Sequence, residues 1–164
     1  MKKLILMVML IAPTTLFAQK FGHVDSQSIM QSLPEISKIR GELEAKAKEY
    51  ENELQAMQTE LTRKAEEYEK QKSTMSATKQ QETEANLQEM YQKIQQQYQA
   101  NQQELQKLEN EKMAPVFTKV RNAIQNVGKN GNYTYIFEAG APLYVGTASK
   151  DLTQEVQTEI KKLK

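Results

Sequence analysis

The fold of this chain is decided by residues 35–112, EISKIRGELEAKAKEYENELQAMQTELTRKAEEYEKQKSTMSATKQQETEANLQEMYQKIQQQYQANQQELQKLENEK. Apolar residues return here every seven positions in two interleaved columns, namely Ile36, Leu43, Tyr50 and Met57, and Ala47, Leu54, Leu61, Tyr68 and Met75. Columns offset by three and four residues are typical of a coiled-coil seam. The pattern resumes further along with Leu87, Tyr91, Ile94, Tyr98, Leu105 and Leu108. This stretch predicts long polar helices that pack along narrow apolar stripes.

The two parts of the pattern are separated by residues 73–78, STMSAT, a stretch of small and hydroxyl-bearing residues. One continuous helix would span roughly 115 Å, and two arms that fold back at residues 76–80 would span roughly 55 to 60 Å each. Folding back lets two sparse stripes cover each other, which a lone helix cannot do. We expect the hairpin. Its seam contains Asn101 and weakens at Lys64 and Gln71, so we expect the arms to splay most towards the turn.

The first 18 residues have the pattern of a secretory signal peptide. Lys2 and Lys3 precede an apolar run from Leu4, and Ala18 offers a small residue for cleavage that would leave Gln19 first. At about 15 residues the apolar run is too short to span a bilayer comfortably. The sequence predicts an exported protein.

The two ends of the mature chain predict a small mixed body. Residues 21–25 alternate as a strand does, and Pro34 suits a helix entry. Pro115 lies inside a second apolar pattern and predicts a kink or break, while Gly128 is the expected C′ residue of that helix. The pattern consists of Met113, Val116, Phe117, Val120, Ile124 and Val127.

The C-terminal residues predict two strands and a last helix. The strands are 133–138 and 143–145, separated by a turn at 139–142, and Ser149 or Asp151 is the expected helix cap. The apolar stripe of that helix is Leu152, Val156, Ile160 and Leu163. A body of about 70 residues is only marginally stable alone, and oligomerisation is the usual remedy.

Composition excludes several kinds of chemistry. The chain has 164 residues, no cysteine, one histidine and a formal charge of +1, so neither thiolate chemistry nor nucleic-acid binding by charge is expected. No phosphate-binding loop is present. Ser26, His23 and Asp25 lie too close in sequence to act as a catalytic relay. We predict no active site, no metal and no cofactor.

The quoted motifs resemble those of the Skp/OmpH family of periplasmic chaperones. The matching segments are 21–25 (FGHVD), 33–35 (LPE), 132–138 (NYTYIFE), 143–145 (LYV) and 151–156 (DLTQEV). The resemblance implies an α+β fold, in which a small β-rich trimerisation body carries a long coiled-coil hairpin, or tentacle, and a homotrimer shaped like a jellyfish. It also implies a periplasmic holdase that needs no ATP and keeps unfolded outer-membrane β-barrel proteins soluble in a cavity between tentacles.

The expected organisation is a signal peptide at 1–18, a body from 19–34 and 113–164, and a hairpin tentacle at 35–112. For subunit contacts in the body we expect Val24, Ile136, Phe137 and Tyr144. For client contacts on the tentacle we expect Met57, Leu61, Tyr68 and Met75. The methionines and tyrosines of the arms admit two interpretations: plain coiled-coil core, or adaptable surface for apolar segments of other proteins.

Two points qualify the resemblance. The best-known family members are strongly basic and this chain is not, so we assign no lipopolysaccharide site and leave contact with the membrane open. The alternative function is a structural coiled-coil spacer or scaffold of the cell envelope, which predicts a stiff rod without general anti-aggregation activity.

Overall fold

The computed structural model describes residues 19–163; the predicted signal peptide lies outside them. Two long helices dominate, joined by a short 3-10 turn at Lys72–Thr74. The elements in chain order are β1 (Phe21–Val24), α1 (Ser26–Gln31), α2 (Pro34–Gln71), α3 (Ala77–Gly131), β2 (Tyr135–Glu138), β3 (Lys150–Asp151) and α4 (Thr153–Ile160). The predicted α+β class and the helical hairpin are confirmed. None of the described helices is long and apolar enough to cross a membrane.

The chain divides into two units. One contains the described residues up to Ser26 together with those from Arg121 onward, and the other is residues 27–120. The second unit holds the hairpin. Pro34 is the first helical residue of α2, as predicted, where its missing N–H is no loss, and Glu35 follows in the first turn.

The turn of the hairpin lies slightly earlier than predicted. Helix α2 ends at Gln71 and α3 begins at Ala77, so the chain reverses over residues 72–76 rather than 76–80. The Ser76 hydroxyl accepts a hydrogen bond from the Lys79 N–H at 3.3 Å, which satisfies one free donor at the start of α3. The hydroxyl-rich stretch thus supplies the start of the return helix as well as the turn.

Pro115 does not break α3. The helix runs without interruption from Ala77 to Gly131, so the predicted break is wrong. The predicted C′ position is also wrong, because Gly128 is still helical. Instead Asn132 adopts φ 54°, and the N–H groups of Asn132 and Tyr133 donate to the carbonyls of Lys129 and Gly128. These are the two bonds of a Schellman motif with asparagine at C′.

The body sheet has three parallel strands in the order β2-β1-β3. On one face Val24 is buried, as are three residues of the C-terminal segment, Leu152, Val156 and Ile160. A Cβ on Gly22 would lie 2.5 Å from Leu152 Cδ1, so this position needs glycine for close packing. Parallel register places Phe21 beside Tyr135 and His23 beside Phe137, which aligns these side chains on one face of the sheet.

The predicted strand at 143–145 is wrong. These residues are irregular, and Leu143 is fully exposed. The third strand is Lys150–Asp151, which pairs with β1 and carries no apolar signal. The last helix ends at Ile160, so Leu163 lies beyond it. Asp151 caps this helix in part, because its carboxylate accepts a hydrogen bond from the Thr153 N–H at 2.9 Å.

Candidate functional site: the hairpin and the exposed face of the sheet

Polar contacts join the two arms near the open end of the hairpin. Lys119 Nζ donates to Glu35 at 2.8 Å and Lys112 Nζ donates to Glu42 at 2.6 Å. These hydrogen bonds lower the pKa of both carboxyls below the ordinary glutamate value. Tyr50 is buried between the arms near Glu104; burial first and the interaction with this carboxylate second raise the pKa of the phenol. We call these three pairs the open-end clamp.

A second group of contacts, the turn-end clamp, joins the arms beside the turn. The buried Tyr68 hydroxyl donates to Glu84, which raises the pKa of the phenol and lowers that of the carboxyl. Lys72 forms an ion pair with Glu84 at 3.6 Å, and Gln80 Nε2 donates to the Lys72 carbonyl at 2.9 Å. We expected the arms to splay most at this end. Polar groups instead join them where the apolar seam weakens.

Between the clamps lies a middle segment, residues 51–67 of α2 and 85–103 of α3. In the described chain no hydrogen bond or ion pair crosses between the arms in this interval. Asn101 is 2 % exposed there; its Oδ1 accepts a hydrogen bond from Gln97 at 2.9 Å, while its Nδ2 has no partner. Over this interval the arms are therefore held together by apolar contact alone. The unsatisfied buried amide of Asn101 lies within the same interval and reduces its stability.

The hairpin surface carries apolar depressions suited to extended apolar segments. One of about 680 Å³ lies at the open end between the arms, with charged residues such as Arg40, Glu44 and Glu109 around it. Its apolar lining includes Ile36, Ile39, Leu43, Ala47, Leu105 and Met113. A depression of about 370 Å³ in the middle segment is lined by Met57 and Met90 from opposite arms. Sequence reasoning missed the first groove, because the heptad pattern does not show where the arms diverge.

The predicted client residues do not form one surface. Met57 lines the middle depression, and Leu61 lines a separate one of about 620 Å³ with Ala65. Tyr68 is buried between the arms by the turn-end clamp, and Met75 is half-buried in the turn itself. Of the four, Met57 and Leu61 are the side chains placed in open depressions.

The face of the sheet opposite Val24 carries a row of aromatic rings. Phe21 and Tyr135 stack with ring centroids 6.3 Å apart, and Tyr135 and Phe137 lie 5.8 Å apart. Tyr135 is 58 % exposed and Phe137 42 % exposed. His23 lies on the same face, with its Nδ1 3.1 Å from the Ser149 hydroxyl. Aromatic side chains in an exposed row are typical of a surface that another protein covers.

The four predicted contact residues of the body divide between the two faces. Val24 is buried and Ile136 is half-buried towards Gly128, so both support the sheet from its covered face. Phe137 belongs to the exposed aromatic row, and Tyr144 is 83 % exposed in the irregular segment. Sequence reasoning missed Tyr135 in this row, because the pairing register of the parallel strands is needed to align it with its neighbours.

The arrangement offers surfaces for binding and no catalytic constellation. No group of three or more histidine, cysteine or acidic residues that could hold a metal occurs among residues 19–163. His23 has a hydroxyl neighbour, and Asp151 lies beside it across the β1–β3 pair, where its carboxylate is engaged by Thr153. These contacts fix the sheet and its third strand.

Comparison with known proteins gives one family. Residues 20–160 match the family model of the OmpH-like outer membrane proteins. A protein named Chaperone protein Skp from Yersinia enterocolitica is 27 % identical over 152 residues, 93 % of this chain and 92 % of that protein. Its namesake from Yersinia pseudotuberculosis is 30 % identical over 144 residues, 88 % of this chain and 87 % of that protein.

A solved structure shares the fold. The crystal structure of an OmpH-like outer membrane chaperone from Caulobacter crescentus superposes with a TM-score of 0.77 at 19 % identity, covering 88 % of this chain and 85 % of that one. Both Yersinia relatives are named as chaperones. The chain belongs to the OmpH-like outer membrane protein family.

Proposed function

We propose that this chain is a periplasmic holdase, which binds unfolded outer-membrane β-barrel proteins without ATP and prevents their aggregation. Family membership supports this function, and so do the open apolar depressions along the hairpin. The strands of such clients alternate apolar and polar residues. Several shallow, partly polar depressions can hold such segments through many weak contacts, without one fixed geometry.

The proposed assembly is a homotrimer. Its body would comprise residues 19–34 and 113–164, and its tentacles residues 35–112, after removal of residues 1–18 on export. The single observation that carries this proposal is the aromatic row of Phe21, Tyr135 and Phe137, in which Phe21 is half-buried and Tyr135 and Phe137 are exposed. Burying such rings between subunits would remove large apolar area from water. Tyr144, exposed in the irregular segment that follows β2, is a further contact residue in the proposed assembly.

The assembly is tested by paired aromatic substitutions. Tyr135→Ser with Phe137→Ser removes two rings from the sheet face, and Tyr91→Ser with Tyr98→Ser removes two rings of similar exposure from the hairpin. We expect the first pair to dissociate the trimer in light scattering and the second to leave it intact. A trimer that survives the sheet-face pair would contradict the assignment.

Client binding is tested on the hairpin. Met57→Lys with Leu61→Lys places charges in two apolar depressions, and Gln55→Lys with Gln58→Lys adds the same charge at exposed positions of the same helix. We expect the first pair to lose protection of an unfolded outer-membrane protein diluted from urea, and the second to keep it. Far-ultraviolet circular dichroism checks that both stay helical. Equal protection by the two variants would favour the scaffold alternative.

A further inference from the structure

The oxidation chemistry of this protein depends on methionine. The chain contains no cysteine and no tryptophan, and eight methionines. A thioether is oxidised reversibly to a sulfoxide, which turns a flexible apolar side chain into a polar one. The consequence depends on where the sulfur lies. A methionine in an apolar contact between two elements changes the structure more than one on an open surface.

Two methionines share one apolar depression across the arms. Met57 from α2 and Met90 from α3 line the space of about 370 Å³, together with Ala56 and Ile94. Both methionines are half-buried, so an oxidant of the size of hydrogen peroxide reaches them. Ile94, which lines the same depression, is buried. The pair therefore belongs to the apolar seam and is accessible to small molecules.

The position of the pair makes the seam sensitive to it. Met57 and Met90 lie in the middle segment, between the last residue of the open-end clamp on α2, Tyr50, and the first bond of the turn-end clamp, at Tyr68. The 17 residues between these tyrosines span about 25 Å of helix. Polar cross-arm contacts are lacking over this length in the described chain, and the buried Nδ2 of Asn101 is unsatisfied.

We propose that Met57 and Met90 form an oxidation-sensitive site that loosens the middle of the hairpin. A peroxide supplies the oxygen: the thioether sulfur attacks one peroxide oxygen, the O–O bond breaks, and the other oxygen leaves as water. The sulfur loses two electrons and the peroxide is reduced by two. Since the chain has no thiol, reduction back to the thioether requires an external dithiol reductase, which becomes a disulfide as the oxygen leaves as water.

The sulfoxides would separate the arms locally, because two polar S–O groups replace the apolar contact around Ile94. The clamps hold both ends, so the opening stays within the middle segment and exposes Leu54 and Leu61. This structural effect stands by itself. Its biological consequence, a larger apolar surface for clients under oxidising conditions, rests on the proposed holdase function.

The test uses residues 19–164 treated with hydrogen peroxide. Peptide mass mapping measures oxidation at each methionine, and amide hydrogen exchange measures opening in residues 51–67 and 85–103. We expect exchange in these segments to become about tenfold faster, which corresponds to about 1.4 kcal/mol. The variant with Met57→Leu and Met90→Leu should not respond, because leucine has similar size and no sulfur. Met113→Leu, in the separate open-end groove, should respond as the natural sequence does.

Three results would overturn the proposal: Met57 and Met90 that resist peroxide, oxidation without faster exchange, or an unchanged response in the double leucine variant. The two methionine sulfoxide reductases, one for each sulfoxide epimer, together with dithiothreitol should restore slow exchange. A client-aggregation assay on the oxidised sample separates the two claims. Faster exchange with no protection at any oxidation level would contradict the holdase and leave the oxidation site standing.

Discussion

Replacing Asn101 by leucine should stabilise the hairpin. The side chain is 2 % exposed, and its Nδ2 has no hydrogen-bond partner. A buried unsatisfied donor costs about 1–3 kcal/mol, and a buried leucine side chain contributes about 1.5–3 kcal/mol relative to an exposed one. Leucine branches at the same atom as asparagine, so it fits with little repacking. The substitution also removes the hydrogen bond that Gln97 donates to Asn101, which contributes about 1 kcal/mol. The Gln97 side chain is half-exposed, so its amide can hydrogen-bond to water instead.

The net expectation for Asn101→Leu is a gain of about 1.5 kcal/mol or more in the free energy of unfolding. Urea denaturation followed by circular dichroism measures it, at one fixed protein concentration because the proposed trimer makes stability concentration-dependent. Asn110→Leu, an exposed position on the same helix, is the matched control and should change stability by less than about 0.5 kcal/mol. A lower stability for Asn101→Leu, or equal effects at both positions, would refute the reasoning.

Three further substitutions have directions fixed by the structure. Glu42→Gln removes the ion pair with Lys112; because that pair lowers the pKa of Glu42, its stabilisation is present above the ordinary value of 4.5 and disappears as pH falls below it. The difference in melting temperature from the natural sequence should shrink from about pH 7 to about pH 3. Gly41 lies at an exposed position inside helix α2, and a Cβ added there would meet open space. Gly41→Ala should therefore raise the free energy of unfolding, measured by urea denaturation, by about 0.5–1 kcal/mol. Gly22→Ala should lower it by about 1–3 kcal/mol in the same assay, because the added carbon meets the buried Leu152.

Two of these substitutions have a matched control variant. For Glu42→Gln the control is Glu53→Gln, at an exposed position of the same helix, whose difference in melting temperature from the natural sequence should not shrink comparably at low pH. If the difference for Glu42→Gln stays the same at low pH, the ion pair is not its cause. For Gly22→Ala the control is Gly140→Ala, where the added Cβ meets open space, so the free energy of unfolding should hardly change. A destabilising Gly41→Ala would mean that α2 is not a regular helix there.

The hairpin could be predicted because its signal is local and repeated. Every seventh residue from Ile36 to Met57 and from Ala47 to Met75 is apolar, and the polar stretch at residues 73–78 marks the reversal. The heptad pattern could not show which polar side chains form hydrogen bonds and ion pairs between the two arms. Pairs such as Tyr68 with Glu84 and Glu42 with Lys112 are 16 and 70 residues apart, and their contact depends on the register of the two helices.

The body was predicted less completely, because its strands pair over long sequence distances. The apolar, β-branched and aromatic composition of residues 143–145 favours a strand, but a strand needs a partner, and none of residues 19–163 pairs with this segment. Lys150 and Asp151 form a strand only because β1 lies alongside them. Pro115 is accepted within α3, and Asn132 rather than Gly128 ends the helix, since an asparagine tolerates the left-handed conformation.

The central claim is that the mature chain assembles through its exposed aromatic face into a trimer that holds unfolded outer-membrane proteins. The most direct measurement combines the mass of residues 19–164 by light scattering with a client-aggregation assay on the same sample, without ATP. We expect the mass of three chains and a client that stays soluble. A monomer or rod-like dimer that leaves the client to aggregate would contradict the claim.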